Sequence, residues 1–342
     1  MPKYSLIVPV FKREDEVLEL IASLNNQSYR SYELILVDGS PTNDLKSVDD
    51  HAALKFPLMS YYRLYRKGLG ISASRNLGAT HATGEYLIFM DSDILVPPSY
   101  FQKIDKVLND TGPDCFGGPD AAHETFSTVQ KAISFSMTSF FTTGGIRGKK
   151  THVGKFKPRG FNYGIRKSVF QQLNGFNENL PVGEDMDLSA RVISAGYRTM
   201  LIPEAFLYHK RRVSIKKFYK QVFRFGAARI LLSKLHSGEM KLPHLFPLVF
   251  SLYLISGLVL PFISFLTFKI WSGSLLVYCS LIFAASTFEN RSLLVGLVSV
   301  ATSITQFLAY SNGFVKNAVA VWIQKRPDGI FQQVEGEPES PL

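Results

Sequence analysis

The sequence predicts an α/β domain built on a mostly parallel, doubly wound sheet, followed by apolar segments long enough to cross a bilayer. Three observations carry this expectation. Short apolar runs alternate with helix-period stretches over residues 5–108, the alternation expected when parallel strands are joined by helical crossovers. One run, Gly84-Glu-Tyr-Leu-Ile-Phe-Met-Asp-Ser-Asp93, passes from five consecutive apolar residues directly into two carboxylates, as a buried strand does when its end meets a ligand site. Finally, residues 245–268, 270–288 and 292–315 contain no Asp, Glu, Lys or Arg, and each approaches or exceeds the roughly 20 residues that cover the hydrocarbon core.

Taken in order, residues 5–10, 34–37, 59–63 and 86–90 read as strands, and residues 15–25, 44–53 and 71–81 as helices. Right-handed connections bring the ends of parallel strands to one edge. That edge then carries residues 9–13, Asp38-Gly39-Ser40 and Asp91-Ser92-Asp93. Ligands bind outside such strand ends, and carboxylates on alternate residues there can hold a divalent cation, which in turn holds a diphosphate. Gly68-Leu69-Gly70 precedes the helix that carries Arg75 and Asn76. Its N-terminus offers N–H groups to a phosphate and Arg75 adds charge, although an internal ion pair explains Arg75 equally well.

Beyond residue 97 the pattern changes to longer, mixed connections with Gly117-Gly118 and Gly144-Gly145, a half expected to shape the other side of the site. Gly160-Phe-Asn-Tyr-Gly164 reads as a turn before a helix near Lys167. Glu184 and Asp185 open a further helix whose Leu188, Val192 and Ala195 share one face. Acids in a first turn are favoured by the helix dipole alone, and a carboxylate can also take a proton from an attacking hydroxyl. Residues 198–202 read as a strand, and residues 215–230 as an amphipathic helix. Ile215, Phe218, Val222 and Phe225 lie on one of its sides and Lys216, Lys217, Lys220 and Arg224 on the other, the composition of a helix lying in a membrane interface.

The formal charge of +10 has a location. Between Lys210 and Lys241 ten basic residues stand against one acid, Glu239, directly ahead of the apolar segments, where basic residues mark the cytoplasmic side and attract anionic headgroups. The partner this predicts is the membrane surface and not nucleic acid. Residues 4–10 are too short for a signal core, and with only Cys115 and Cys279 no disulfide framework is expected. The expected organisation is an α/β domain over 1–212, a basic amphipathic region over 213–241, transmembrane segments over 242–316 and a tail over 317–342. Gly257 and Pro261 interrupt the first apolar run, so both two and three spans remain open.

Val8-Pro-Val-Phe11, Glu33-Leu-Ile-Leu-Val-Asp-Gly-Ser40, Ser72-Ala-Ser-Arg-Asn-Leu-Gly78, the Gly84 to Asp93 stretch and Gly183-Glu-Asp-Met-Asp-Leu-Ser-Ala-Arg191 occur in this order. They resemble the successive motifs of family 2 glycosyltransferases with the GT-A fold, a Rossmann-like sheet, over about residues 4–232. The resemblance implies that Pro9, Phe11 and Asp38 meet the nucleoside of a nucleotide-sugar donor and that Asp91 lies near the ribose. It implies that Asp93 coordinates Mg2+ or Mn2+, with Asp91 and His209 as further ligands, and that Arg75, Gly160 and Asn162 complete the donor side. Asp185 matches the family's catalytic base, with Glu184 as a supporting acid and Asp187 as a structural residue. Gln221-Val-Phe-Arg-Phe225 resembles the Gln-x-x-Arg-Trp motif of polysaccharide synthases, with Phe in place of Trp, which puts Gln221 and Arg224 on the interfacial, acceptor side. Lys12 stands where the family usually has Asn, and the usual Asp-Asp-Gly-Ser is shortened to Asp38-Gly39-Ser40.

The expected activity is inverting transfer of a sugar to a lipid-linked or growing glycan acceptor, as in bacterial exopolysaccharide, capsule or cell-envelope synthesis. The enzyme would be a multi-pass protein of the cytoplasmic membrane with its catalytic domain in the cytosol. Two alternatives stand beside it. One is a polyprenyl-phosphate glycosyltransferase, whose acceptor phosphate needs little help from a base. The other is a catalytically inactive membrane adaptor that retains a nucleotide-binding domain.

Overall fold

A computed structural model of the 342-residue chain describes residues 3–42, 45, 48, 61–144 and 155–331. They divide into two compact units, residues 3–123 with 155–210, and residues 124–144 with 211–331. Residues 124–144 therefore leave the α/β unit, which a single boundary at 212 does not anticipate. The helix expected over 44–53 lies outside the described residues apart from Leu45 and Val48, as does the tail beyond 331.

In the first unit, β1 (Tyr4–Val10), β2 (Tyr32–Asp38), β3 (Tyr61–Tyr65) and β4 (Tyr86–Met90) run parallel in the order β3-β2-β1-β4. Their C-terminal ends therefore share one edge. The described strand β3 begins at Tyr61 and runs to Tyr65, two residues beyond the end read from the sequence. Register puts Ile7 opposite Ile35 on one side and Phe89 on the other. Alternate residues then serve two cores. Leu6, Val8, Leu34, Leu36, Ile88 and Met90 pack with Val17, Leu20, Ile21 and Leu24 of the Glu14–Asn25 helix. Ile7, Ile35, Val37, Leu87 and Phe89 pack with Ala79 of the Ile71–His81 helix and with Leu188 and Val192 of the Glu184–Ser194 helix. A sheet covered on both faces needs continuous apolar strands. At Gly78 the helix rides close to the sheet, since a Cβ there would lie 2.5 Å from Ile7 Cγ2.

Past β4 the sheet changes direction. Asn162–Arg166 (β8) runs antiparallel between β4 and Cys115–Gly117 (β6), and Thr199–Leu201 (β9) closes the edge parallel to β6. The stretch read as a turn, Gly160 to Gly164, thus enters the sheet at Asn162. A small second sheet in the order β5-β10-β7 joins Ile94–Leu95 (β5), Leu207–His209 (β10) and Asp120–Ala121 (β7).

In the second unit the Leu293–Ala318 helix is the common partner of the Thr128–Thr138, Ile215–Leu235, Phe246–Ser256 and Phe265–Asn290 helices. It meets Ile215–Leu235 with the backbones in near contact. A Cβ at Gly226 would run into Tyr310 O and one at Gly313 into Phe223 O, the small-residue packing of closely apposed helices. Ser136 Oγ lies 2.6 Å from Thr302 Oγ1, and Asn317 Nδ2 donates to Ala227 O at 2.7 Å. This packing corrects the reading of residues 215–230 as a helix with its apolar side turned to lipid. Phe218 and Val222 are buried with Ile133, Met137 and Ala309, while Lys216, Lys217 and Lys220 stay exposed.

The first apolar run is also not one span. Phe246–Ser256 ends before Gly257, a separate turn covers Leu260–Ile263, and Ser264 caps Phe265–Asn290 by accepting from Thr267 N. Trp271 fills the space a side chain at Gly257 would need, and its Nε1 donates to Tyr253 O at 2.8 Å. Among the described residues, two helices are long and apolar enough to cross a membrane, Phe265–Asn290 and Leu293–Ile323.

Candidate active site

Three loops meet at the C-terminal edge of β1, β2 and β4. Lys12 follows β1 with φ of 52°, and its N–H donates to Ser40 Oγ at 2.9 Å, tying the first loop to the second. Asp38 ends β2 and is fully buried. Its Oδ1 accepts from Ser40 N at 2.9 Å and its Oδ2 lies 3.4 Å from Arg63 Nη1. That arrangement engages the carboxylate in an Asx-type turn and an ion pair. Pro9, paired with Val37, and Phe11 are half-buried, with Lys12 Nζ 5.8 Å from the Phe11 ring centroid.

Asp91, Asp93 and His209 converge, each contributing one atom to a group within 4.8 Å of one another. The small sheet makes this possible. His209 is in register with Ile94, and Lys210 N donates to Asp93 O at 2.9 Å. Asp93 Oδ1 lies 3.2 Å from His209 Nε2, while Asp93 Oδ2 accepts from Arg13 Nη1 at 3.1 Å. Phe161 stacks on the imidazole at 4.9 Å, and His209 Nδ1 is buried without a hydrogen bond. Two carboxylates with one imidazole form a donor set suited to a hard divalent cation. Arg13 also pairs with Glu16 at 2.7 Å. Burial works against its charge, but Asp93 and Glu16 outweigh that and raise its pKa.

A second network starts at Arg75, which is 1% exposed. Its Nη1 donates to Glu184 Oε1 at 2.6 Å, and its Nη2 donates to Asp91 Oδ1 at 2.9 Å and Gly160 O at 3.2 Å. The guanidinium lies 5.3 Å from the Phe176 ring centroid. Gly160 permits the approach, because a Cβ there would be 2.8 Å from Nη2. Arg75 is thus spent inside the protein, which corrects the expectation of a phosphate contact. Burial opposes its charge, yet Asp91, Glu184 and Asp185 raise its pKa. Burial likewise pushes the Glu184 carboxyl up, with Arg75 opposing and Asp185 adding to the rise.

Asp185 is half-buried. Gly160 N donates to its Oδ2 at 2.9 Å and Met186 N to its Oδ1 at 2.7 Å, so two backbone groups orient the carboxylate. Asp187 is buried and pairs with Arg191 at 2.7 Å along its own helix. Asn162 departs from expectation. It is 1% exposed, its Oδ1 accepts from Tyr100 OH at 2.6 Å and its Nδ2 donates to Ala205 O at 2.8 Å. Those bonds hold β8 in place and engage both ends of the buried Asn162 amide. Gln221 and Arg224 lie half-buried on the Ile215–Leu235 helix of the second unit.

Arg13, Arg63, Phe161 and Phe176 gain their places only in the folded unit. Arg13 alone had a sequence signal, an i,i+3 spacing to Glu16, and that spacing does not point to Asp93.

Residues 5–172 match the family model described as Glycosyl transferase family 2. The chain is similar to the succinoglycan biosynthesis protein ExoA of Rhizobium meliloti, 22% identical over 314 residues that cover 90% of this chain and 93% of that protein. It is also similar to the GalNAc(5)-diNAcBac-PP-undecaprenol beta-1,3-glucosyltransferase of Campylobacter jejuni, 32% identical over 93 residues, 27% of this chain and 30% of that protein. The structure of the mannosyltransferase PcManGT from Pyrobaculum calidifontis, in complex with GDP-Man and Mn2+, is alike in fold, with a TM-score of 0.60 at 16% identity over 94% of this chain and 88% of that one.

Proposed function

The chain carries a glycosyl transferase family 2 domain over residues 5–172, and on that premise we propose that it transfers a sugar from a nucleotide sugar to a lipid-linked or growing glycan acceptor, inverting the anomeric centre. The product is an exopolysaccharide or another cell-envelope glycan. One observation carries the reading: a single buried guanidinium, Arg75, joins the Asp91 end of the acidic cluster to the helix start that holds Glu184 and Asp185. A cation-binding group and a candidate base are thereby held in one rigid network, as sugar transfer from a diphosphate requires.

Asp93, Asp91 and His209 would hold Mg2+ or Mn2+, which when bound supplies positive charge against a diphosphate leaving group. Asp185 takes the proton from the attacking hydroxyl. Gly160 N–H and Met186 N–H fix the direction of its carboxylate, and Glu184, anchored on Arg75, keeps the start of that helix in place. Pro9 and Phe11 serve the nucleoside side. The relatives support the substrate class: ExoA is named for succinoglycan biosynthesis, and the Campylobacter jejuni protein for an undecaprenol-linked acceptor.

The two long apolar helices and the exposed Lys216, Lys217 and Lys220 support a place in the cytoplasmic membrane, with the catalytic unit on the cytosolic side. Detergent-solubilised protein should transfer sugar from one member of a nucleotide-sugar panel in the presence of Mn2+. Chelator and Asp93→Asn should each abolish that transfer; full activity under either condition refutes the cation-dependent reading. Charge reversal at Lys216, Lys217 and Lys220 should weaken transfer to a lipid-linked acceptor and spare donor hydrolysis.

A further inference from the structure

We infer that Arg13 is a built-in competitor for the cation: its guanidinium occupies Asp93, and a divalent cation must displace it toward Glu16 to bind. This rests on the cation reading of Asp91, Asp93 and His209, and it concerns a residue that no part of that reading uses.

Arg13 Nη1 is shared between two carboxylates of unlike setting. Asp93 Oδ2 lies 3.1 Å away on a carboxylate whose side chain is 7% exposed, and Glu16 Oε2 lies 2.7 Å away on one that is 31% exposed. A divalent cation on Asp93 would meet a fixed positive charge at close range, where like charges in a partly buried site repel strongly. The guanidinium must therefore leave Asp93 as the cation arrives. Glu16 gives it somewhere to go, because Arg13 caps the start of the Glu14–Asn25 helix and Glu16 sits in the first turn, an i,i+3 pair whose geometry does not depend on Asp93. The turn at Lys12, with φ of 52° and its N–H held by Ser40, sets the direction from which Arg13 reaches Asp93.

Arg13 and Glu16 act on the cation in opposite directions, and this makes the inference testable. Removing Arg13 removes the competitor. Removing Glu16 takes away the neighbouring carboxylate toward which Arg13 would move and favours its contact with Asp93. Mn2+ binding to the full chain in detergent, without nucleotide, can be followed from the electron paramagnetic resonance signal of free Mn2+. Arg13→Gln should bind Mn2+ about tenfold more tightly than wild type, the size of effect a charge at this distance has on a carboxylate's affinity for a proton. Glu16→Gln should bind it more weakly, and Asp93→Asn should lose the site. A purely structural Arg13 would lower thermal stability without tightening Mn2+ binding. If Asp93-dependent binding persists and Arg13→Gln is no tighter, or Glu16→Gln is no weaker, the competitor is refuted while the cation site stands. If neither wild type nor Arg13→Gln shows Asp93-dependent binding, the cation reading fails and takes this inference with it.

Discussion

Arg75 Nη1 and Glu184 Oε1 are 2.6 Å apart across 109 residues of sequence. The same guanidinium holds Asp91, so one buried cation balances the acids of two separate loops. Truncating either partner of such a pair leaves a charge without compensation. Arg75→Met should therefore cost about 3 kcal/mol or more, seen as a fall of several degrees in the thermal midpoint. Glu184→Gln added to it should restore part of the loss. A midpoint unchanged in Arg75→Met would contradict the network.

Asp185→Asn keeps an oxygen to accept one of the two backbone N–H bonds and loses the carboxylate proposed to take a proton. Turnover should fall by roughly 10² or more with donor affinity retained. Nucleotide titration beside single-turnover kinetics separates the two, and an equal loss of donor affinity would assign Asp185 to binding.

Asp105 ties the start of β1 to the Tyr100–Thr111 helix, accepting from Lys3 Nζ at 2.7 Å, Tyr4 OH at 2.9 Å and Tyr29 OH at 3.3 Å. Burial alone would raise its carboxyl, but the Lys3, Tyr4 and Tyr29 hydrogen bonds outweigh that and hold it below the usual carboxylate range. A depressed folded value stabilises at pH above the unfolded value, about 3.9, and the gain is lost as pH falls through the folded value. Asp105→Asn should thus be less stable than wild type at neutral pH, and the gap between their melting midpoints should narrow below about pH 4. A gap that widens with acid would be the wrong sign.

Lys12 adopts the left-handed region at φ of 52°, which costs a non-glycine residue roughly 1–2 kcal/mol and is tolerated best by Asn and Asp. The Asn that the family resemblance implies at this position suits this backbone. Lys12→Asn should raise the melting midpoint by a few degrees, and Lys12→Val should lower it.

What the sequence by itself determined were features set by near neighbours. Five apolar residues before Asp91 specified a buried strand with carboxylates at its end. The period of residues 71–81 specified the Ile71–His81 helix. The charge-free stretches 270–288 and 292–315 specified two long apolar helices, and successive motifs specified the match of residues 5–172 to the glycosyl transferase family 2 model. Each of these is written in residues that touch within a few positions, where strand and helix periods operate. The tertiary structure decided the rest. Only the pairing of β10 with β5 brings His209 to Asp93, and only the insertion of β8 between β4 and β6 turns Asn162 inward and Gly160 toward Arg75. The close approach at Gly226 and Gly313 gives the apolar side of the Ile215–Leu235 helix a protein partner, which its amphipathic pattern alone cannot distinguish from lipid. Ion pairs and packed faces join residues far apart in the chain, and sheet order and helix crossing, unlike local period, choose those partners.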